Sequence, residues 1–165
     1  MFGFGQLIGI LKKNPKKIVF TEGEDPRILE ASSRLLASYF LHPILIGDEK
    51  RIADAAEESG FNIRGAEIID PEKFDKIDEM VELYCELRKK KGVTSDQARE
   101  VLKQANYFGT MLVKMGFADA LLGGATYSTA DTVRPALQLI KTKPGNNLVS
   151  SCFILVRPSA TGDNE

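Results

Sequence analysis

Residues 118–140, ADALLGGATYSTADTVRPALQLI, carry the pattern that decides the fold. The short apolar run at 118–122 predicts a buried strand, the pair Gly123 and Gly124 predicts a tight turn, and an amphipathic helix is expected over about 131–141. A strand that turns directly into a helix directs free backbone N–H groups, and the positive end of the helix dipole, toward a ligand above the sheet. The stretch therefore predicts an α/β fold with a binding site at one end of a strand.

The loop between the two glycines and the helix is rich in groups that bind anions. Ser128, Thr129 and Thr132 add hydroxyl donors, and Arg134 adds a positive guanidinium, so the loop predicts a site for phosphate or a phosphorylated cofactor. Because Pro135 disfavours helical geometry at the preceding residue, Arg134 is expected at the mouth of the helix.

Structural explanations of the same residues remain open. Glycines end many strands simply to permit a turn, Asp131 is a good helix N-cap, and Arg134 could pair with Asp131 or lie exposed. The chain contains no G-x-G-x-x-G fingerprint and no Walker-type lysine loop.

Strand and helix patterns alternate along the rest of the chain, which predicts a doubly wound, mainly parallel sheet with helices on both faces. Strands are expected at 17–21, 43–47 and 66–69, and helices at 48–59 and 73–90. Asp25 followed by Pro26 predicts a helix start, and Thr94 with Gln97 predicts a capping box for a helix that continues to Leu112.

The chain is expected to contain one domain at 1–147 and, after a turn at 144–147, the first strand (148–156) of an incomplete second domain at 148–165. The run 148–156 is apolar and rich in β-branched residues, which is typical of a strand. Its role is left open.

Composition limits the class of protein. The 22 basic and 23 acidic residues nearly cancel, and no basic stripe is interleaved with aromatic residues, so a nucleic-acid partner is not expected. No apolar run is long enough to span a bilayer, and no secretory leader is recognisable, so no membrane partner and a cytoplasmic location are expected. Two cysteines and one histidine, far apart, do not predict a metal site.

Two further groups of residues could carry chemistry. Arg88 continues the apolar face of the helix predicted at 73–90, where a charged side chain needs an anionic ligand or a structural partner; the residues do not decide between these. Glu22, Glu24 and Asp25 cluster after the first strand, and an N-cap in a solvated turn is favoured over acid–base chemistry.

Several segments resemble the phosphate acetyltransferase family, in order along essentially the whole chain. The strongest is GGATYSTADTVRPALQ at 123–138, continued by LIKTKPG at 139–145. The others are FTEGEDPR at 20–27, HPILIG at 42–47, LRKKKG at 87–92 and NYFGTML at 106–112.

The resemblance implies two α/β domains flanking a cleft, similar to the isocitrate and isopropylmalate dehydrogenases, in a homodimer. It implies reversible acetyl transfer between CoA and phosphate to give acetyl phosphate, with CoA or acetyl-CoA as substrate and no permanently bound cofactor. In the family the deprotonated CoA thiol attacks the acetyl phosphate carbonyl, and arginines that match Arg88 and Arg134 are tied to CoA binding. On this basis the CoA/phosphate-binding residues are expected to be Arg134, Arg88, Ser128, Thr129, Thr132, Gly123 and Gly124.

The chain departs from the family in length, since it resembles only the N-terminal half. The family's C-terminal Ser-Arg pair and its aspartate general base have no match here, so no catalytic residue is assigned to this chain and the chain alone is expected to be inactive. Three alternatives stay open: a non-catalytic CoA-binding regulatory module of the same family, a phosphate butyryltransferase, and a generic nucleotide-binding α/β domain.

Overall fold

Four parallel strands form the sheet at the centre of the protein, in the order β3-β2-β1-β4. The computed structural model describes residues 4–153. The strands are β1 (Lys16–Phe20), β2 (Leu41–Ile46), β3 (Glu67–Ile69) and β4 (Ala120–Leu122). The register places Val19 opposite Ile44 of β2 and Leu121 of β4.

The helices connect and cover these strands. They are α1 (Phe4–Lys13), α2 (Pro26–Ser38), α3 (Glu49–Glu58), α4 (Ile77–Leu87), α5 (Ser95–Leu102), α6 (Ala105–Lys114) and α7 (Thr129–Pro135), with a 3₁₀ turn at Lys89–Lys91 and a π-helical turn at Ala136–Ile140. The predicted α/β class with a parallel sheet is confirmed.

Side chains alternate between two buried clusters because successive residues of a strand point to opposite faces of the sheet. On one face Val19, Ile44 and Ile46 pack with residues of α4, α5 and α6. On the other face Phe20 and Leu45 pack with α2 and α3. Helices therefore cover both faces, as the alternating pattern predicts.

Local capping signals define several helix starts. The Asp25 side chain accepts a hydrogen bond from the Arg27 backbone N–H at the start of α2. Thr94 and Gln97 form the predicted capping box at the start of α5. Both interpretations are confirmed.

Two predicted helices have different bounds in the structure. The helix expected at 73–90 is α4, which begins only at Ile77 because the Lys73 and Ile77 N–H groups close three-residue turns onto Asp70 and Phe74. The helix expected from Thr94 to Leu112 is two helices, because Gln104 adopts extended backbone angles (φ −78°, ψ 121°) and ends the first.

Pro135 does not displace Arg134 from the helix, so that expectation is wrong. Arg134 lies inside α7, and the chain continues from Pro135 into the π-helical turn. Proline cannot donate to the carbonyl of Asp131 four residues earlier. The side-chain amide of Asn106 replaces that donor, with 2.8 Å from Nδ2 to the Asp131 carbonyl oxygen.

The strand expected at 148–156 is not formed over residues 148–153, where no ladder pairing is present and Leu148 and Phe153 are exposed. A strand requires a hydrogen-bonding neighbour, and within the described residues this segment has none. Residues 154–156 lie outside the described residues, and the proposed domain boundary stays a prediction. Among residues 4–153, none of the helices combines the length and the apolar character needed to cross a membrane.

Candidate functional site

The candidate site lies where the order of the sheet reverses. From β1 the chain proceeds outward to β2 and β3, and it then returns to add β4 on the opposite side of β1. In sheets of this kind the crevice beyond the carboxyl ends of the strands at such a switch point is the usual ligand site. Here that crevice is bounded by the turn after β1 (residues 21–25) and by the loop between β4 and α7 (residues 123–128), which we call the β4–α7 loop.

A buried carboxylate occupies the inside of the β4–α7 loop. Glu22 is 9% exposed, and its Oε1 accepts hydrogen bonds from the backbone N–H groups of Gly124 (3.0 Å), Thr126 (3.0 Å) and Tyr127 (3.3 Å). Its Oε2 accepts a hydrogen bond of 2.6 Å from the Thr21 hydroxyl. The expectation that these backbone donors are free for a phosphate is therefore wrong, because a carboxylate from the turn after β1 already binds them.

The same contacts keep Glu22 ionised. Burial raises the pKa of Glu22, but the hydrogen bonds from Thr126, Thr21, Tyr127 and Gly124 outweigh this effect and hold the pKa below its usual value. Glu22 is thus a fixed negative charge at neutral pH, rather than the solvated residue of a turn that the sequence favoured.

Arg27 binds the same loop from the side of α2. Its Nη2 donates a hydrogen bond of 2.7 Å to the Ala125 carbonyl oxygen. Its guanidinium also donates to both carboxylate oxygens of Asp25, at 2.9 Å and 2.7 Å. Asp25 is the N-cap of α2, and the hydrogen bond from Arg27 holds the pKa of Asp25 below its usual value.

The two glycines are required by the geometry of the turn. A Cβ on Gly123 would lie 2.6 Å from Oγ1 of Thr21, and Gly124 has φ +109°, in the region that favours glycine. The structural explanation of these glycines is therefore sufficient, whether or not a ligand also approaches them.

Two of the three hydroxyl groups predicted to bind a ligand, those of Ser128 and Thr132, form hydrogen bonds at the start of α7. Ser128 is the N-cap: its Oγ accepts a hydrogen bond from the Asp131 N–H (3.2 Å) and donates to the Asp131 carboxylate (2.6 Å). Thr132 donates to the Ser128 carbonyl oxygen (3.1 Å), and Thr129 is exposed. The hydrogen bonds of Ser128 and Thr132 therefore stabilise the first turn of α7.

The two predicted arginines occupy different elements. Arg134 forms a loose ion pair with Asp131 (3.6 Å), and its side chain is 56% exposed. Arg88 is the C-cap of α4, where its Nε atom is buried and has no hydrogen-bond partner within residues 4–153. The ion pair of Arg134 lies within α7, and no hydrogen bond or ion pair of the described residues joins either arginine to the β4–α7 loop.

A cavity of about 590 Å³ extends from Glu22 across the carboxyl ends of β2 and β3. Acidic residues outnumber basic ones in its wall, and several are paired: Glu24 with Arg51 (2.7 Å) and Asp48 with Lys73 (3.2 Å). Such a lining disfavours a ligand with several negative charges. No group of three His, Cys, Asp or Glu side chains in the described part of the chain is arranged to hold a metal ion.

Sequence reasoning missed the roles of Glu22, Arg27 and Asn106. Each acts on a segment at least 25 positions away in the sequence, so no local pattern indicates its partner. The signals for Glu22 and Arg27 were indirect: both follow the strand that sequence alternation places in the same sheet as β4, and both lie in the segment FTEGEDPR that resembles the family.

Comparison of the sequence with known proteins identifies a family. The family model described as "Phosphate acetyl/butaryl transferase" matches residues 4–163. A phosphate acetyltransferase of Bacillus subtilis (strain 168) is 50% identical over 141 residues, which are 86% of this chain and 43% of the relative. A phosphate acetyltransferase of Thermoanaerobacterium thermosaccharolyticum is 46% identical over 154 residues, which are 93% of this chain and 46% of the relative.

Solved structures agree with the sequence comparison. The EutD phosphotransacetylase from Staphylococcus aureus superposes with a TM-score of 0.78 at 44% identity, over 88% of this chain and 45% of that one. A phosphotransacetylase from Streptococcus pyogenes gives a TM-score of 0.78 at 43% identity, over 87% of this chain and 45% of that one. The chain spans somewhat less than half the length of these relatives, and it belongs to the phosphate acetyl/butaryl transferase family.

Proposed function

We propose that this chain serves the reversible transfer of an acetyl group between CoA and phosphate, as its relatives' names indicate for them. The observation that carries the proposal is the family match over residues 4–163 together with 50% identity to a phosphate acetyltransferase. Because the family description also includes butyryl transfer, a longer acyl chain is the second candidate substrate.

The proposed reaction is a direct acyl transfer. The sulfur of the CoA thiolate attacks the carbonyl carbon of acetyl phosphate, a C–S bond forms, and the C–O bond to phosphate breaks. The thiol proton passes to a base, which we do not assign to any described residue. The demands on this chain are therefore binding and electrostatic: it must hold phosphate-bearing substrates against the rest of the site.

Arg134 is the residue of this chain that we expect to bind a phosphate of CoA or acetyl phosphate most directly. Its guanidinium is exposed and only loosely paired, and an arginine can donate two parallel hydrogen bonds to a phosphate. Thr129, the first residue of the same helix, is also exposed. Since Glu22 already binds the backbone N–H groups inside the loop, we place the phosphate on the outer side, toward Arg134.

The remaining predicted contacts have supporting roles in this proposal. Gly123, Gly124, Ser128 and Thr132 shape the β4–α7 loop through the contacts described above. Arg88 is a second candidate cation, because its buried Nε atom has no hydrogen-bond partner among residues 4–153, which is costly unless a ligand or another group satisfies it.

The proposal also covers the domain arrangement, assembly, location and cofactor use of the protein. We expect an arrangement like that of the isocitrate and isopropylmalate dehydrogenases, a homodimer, a cytoplasmic location, and CoA as a substrate rather than a permanently bound cofactor. Size-exclusion chromatography coupled to light scattering tests the dimer, and a single protomer mass at micromolar concentration would contradict it.

A calorimetric titration of the full chain with CoA tests the binding site. Arg134→Ala should weaken CoA binding about tenfold, equivalent to about 1.4 kcal/mol for one partly exposed charge-assisted contact. Arg34→Ala is the matched control, because Arg34 is also an exposed arginine that is ion-paired within its own helix. Equal affinities of wild type and Arg134→Ala would remove Arg134 from the site.

Turnover separates an enzyme from a binding module. Thioester formation from acetyl phosphate and CoA should be measured on the same chain and repeated with butyryl phosphate. CoA binding without turnover would favour the binding-module alternative or a chain inactive by itself, whereas turnover would contradict the expectation that the chain alone is inactive.

A further inference from the structure

We propose that Glu22 and Arg27 are positioning residues that hold the β4–α7 loop in the conformation needed to present Arg134 to substrate. The inference about substrate rests on the proposed function. The inference about loop geometry rests only on contacts within the chain.

Glu22 defines the inner side of the loop. One carboxylate oxygen accepts three backbone N–H groups, from Gly124, Thr126 and Tyr127, at distances of 3.0 to 3.3 Å. These donors lie within four successive residues, so the backbone of this segment curves around a single acceptor oxygen. The donors are 102 to 105 positions from Glu22 in the sequence, and among residues 4–153 no nearer side chain accepts a hydrogen bond from these three N–H groups.

Arg27 defines the outer side of the same loop. In a trans peptide unit the Ala125 carbonyl is directed opposite to the Thr126 N–H that donates to Glu22. This carbonyl accepts a hydrogen bond of 2.7 Å from Arg27 Nη2. Arg27 is itself oriented by two hydrogen bonds to Asp25, whose side chain also caps α2. The peptide units between Gly124 and Tyr127 are therefore held by an acceptor on one side and a donor on the other.

The loop holds the N-terminal end of α7, while Asn106 of α6 binds the helix at the Asp131 carbonyl. Ser128 follows Tyr127 directly and is the N-cap of α7, so a shift of Tyr127 moves the first turn of the helix. Arg134 lies in the last turn of α7. Loss of the Glu22 contacts should consequently change where the Arg134 guanidinium lies, without removing any group that would contact substrate.

The carboxylate is also unsuited to act as a base. Both Glu22 oxygens already accept hydrogen bonds, four in total, and hydrogen bonds to the charged form disfavour uptake of a proton. A positioning role is therefore consistent with its surroundings, and it needs no proton transfer at Glu22.

Amide hydrogen exchange on the full chain, resolved by residue with NMR, tests the loop directly. Glu22→Ala should increase exchange of the Gly124, Thr126 and Tyr127 amides about tenfold or more, because each loses its acceptor. Glu22→Gln retains an oxygen acceptor and should restore part of the protection. Glu24→Gln is the matched control, since Glu24 lies in the same turn but pairs with Arg51.

CoA affinity, measured on the same variants by calorimetry, tests the link to the site. Glu22→Ala should weaken CoA binding about fivefold to tenfold, and Glu22→Gln should weaken it less. Glu30→Gln, which removes an exposed carboxylate paired with Arg34 outside the cavity wall, should leave it unchanged. Arg27→Ala should follow Glu22→Gln in both measurements, which keeps the test available if Glu22→Ala does not fold.

The two parts of the inference fail in different ways. Unchanged protection of the three loop amides in both Glu22→Ala and Arg27→Ala, or in Arg27→Ala if Glu22→Ala does not fold, would overturn the positioning role. Increased exchange with unchanged CoA affinity would overturn the link to substrate, because the loop geometry would then not matter for binding. If the wild-type chain does not bind CoA, the proposed function fails, while the exchange experiment still decides whether these residues position the loop.

Discussion

Asn106 stabilises a helix that contains a proline, and removing its amide should destabilise the protein measurably. Pro135 lies inside α7 and cannot donate to the Asp131 carbonyl. The Asn106 Nδ2 group supplies the missing hydrogen bond at 2.8 Å, while its Oδ1 accepts the Tyr107 N–H at 2.9 Å. Tyr107 is in the first turn of α6, where the N-cap Gln104 makes no side-chain hydrogen bond. One buried amide thus satisfies a backbone group in each of two helices.

The cost of Asn106→Ala follows from these two contacts. Asn106 is 6% exposed, and a buried backbone group that loses its partner costs about 1 to 3 kcal/mol. The lower end applies to both groups, because Asp131 and Tyr107 are only half-buried. We therefore expect the free energy of unfolding to fall by about 2 to 3 kcal/mol and Tm to fall by about 5 to 10 °C.

A double-mutant cycle isolates the contact between helices. Pro135→Ala introduces a backbone N–H that can donate to the Asp131 carbonyl in place of Asn106. In that background Asn106→Ala should cost about 1 to 1.5 kcal/mol less than in the wild type, as only the Tyr107 contact is then lost. Urea unfolding followed by circular dichroism gives all four free energies.

Gln104→Ala serves as the control, because Gln104 is exposed and makes no capping bond; it should change stability by less than about 0.5 kcal/mol. An equal cost of Asn106→Ala in both backgrounds would refute the argument that its amide replaces the proline's missing donor.

Three further changes have defined outcomes. Gly109→Ala should lower the free energy of unfolding by about 1 to 2 kcal/mol despite a better helix propensity, since the new Cβ would lie 3.0 Å from Val19 Cγ1 in a filled core; a more stable variant in urea unfolding would contradict this. Thr94→Ala should cost about 1 kcal/mol by removing the capping box with Gln97, and an unchanged urea midpoint would argue against it. Because the pKa of Glu22 is lower in the folded chain than its usual 4.5, its contribution to stability should be complete above pH 4.5 and be lost as the pH falls through the lower folded value. Glu22→Gln should therefore flatten the acid limb of the stability–pH curve, and an identical limb would show that another carboxyl group controls it.

Local features were predictable from sequence because they depend on neighbours along the chain. The side-chain hydrogen bond of Asp25 to α2 and the capping box of Thr94 with Gln97 involve residues two or three positions apart. The alternation of apolar strands and helices indicated a parallel sheet, and it placed the β4–α7 loop at a carboxyl end of that sheet. The helix break at Gln104 was not predictable in this way, because the apolar pattern continues across it.

The sequence by itself determined the α/β class, most of the strands and the loop that bounds the candidate site. Only the tertiary structure decided what the loop's backbone donors bind. Pairing of β1 with β4 brings Glu22 within 3.0 Å of a residue 102 positions later, and the same packing sets Asn106 against the carbonyl that Pro135 leaves without a donor. Hydrogen bonds of this kind depend on strand order and helix packing, so they have no signature in a local sequence pattern.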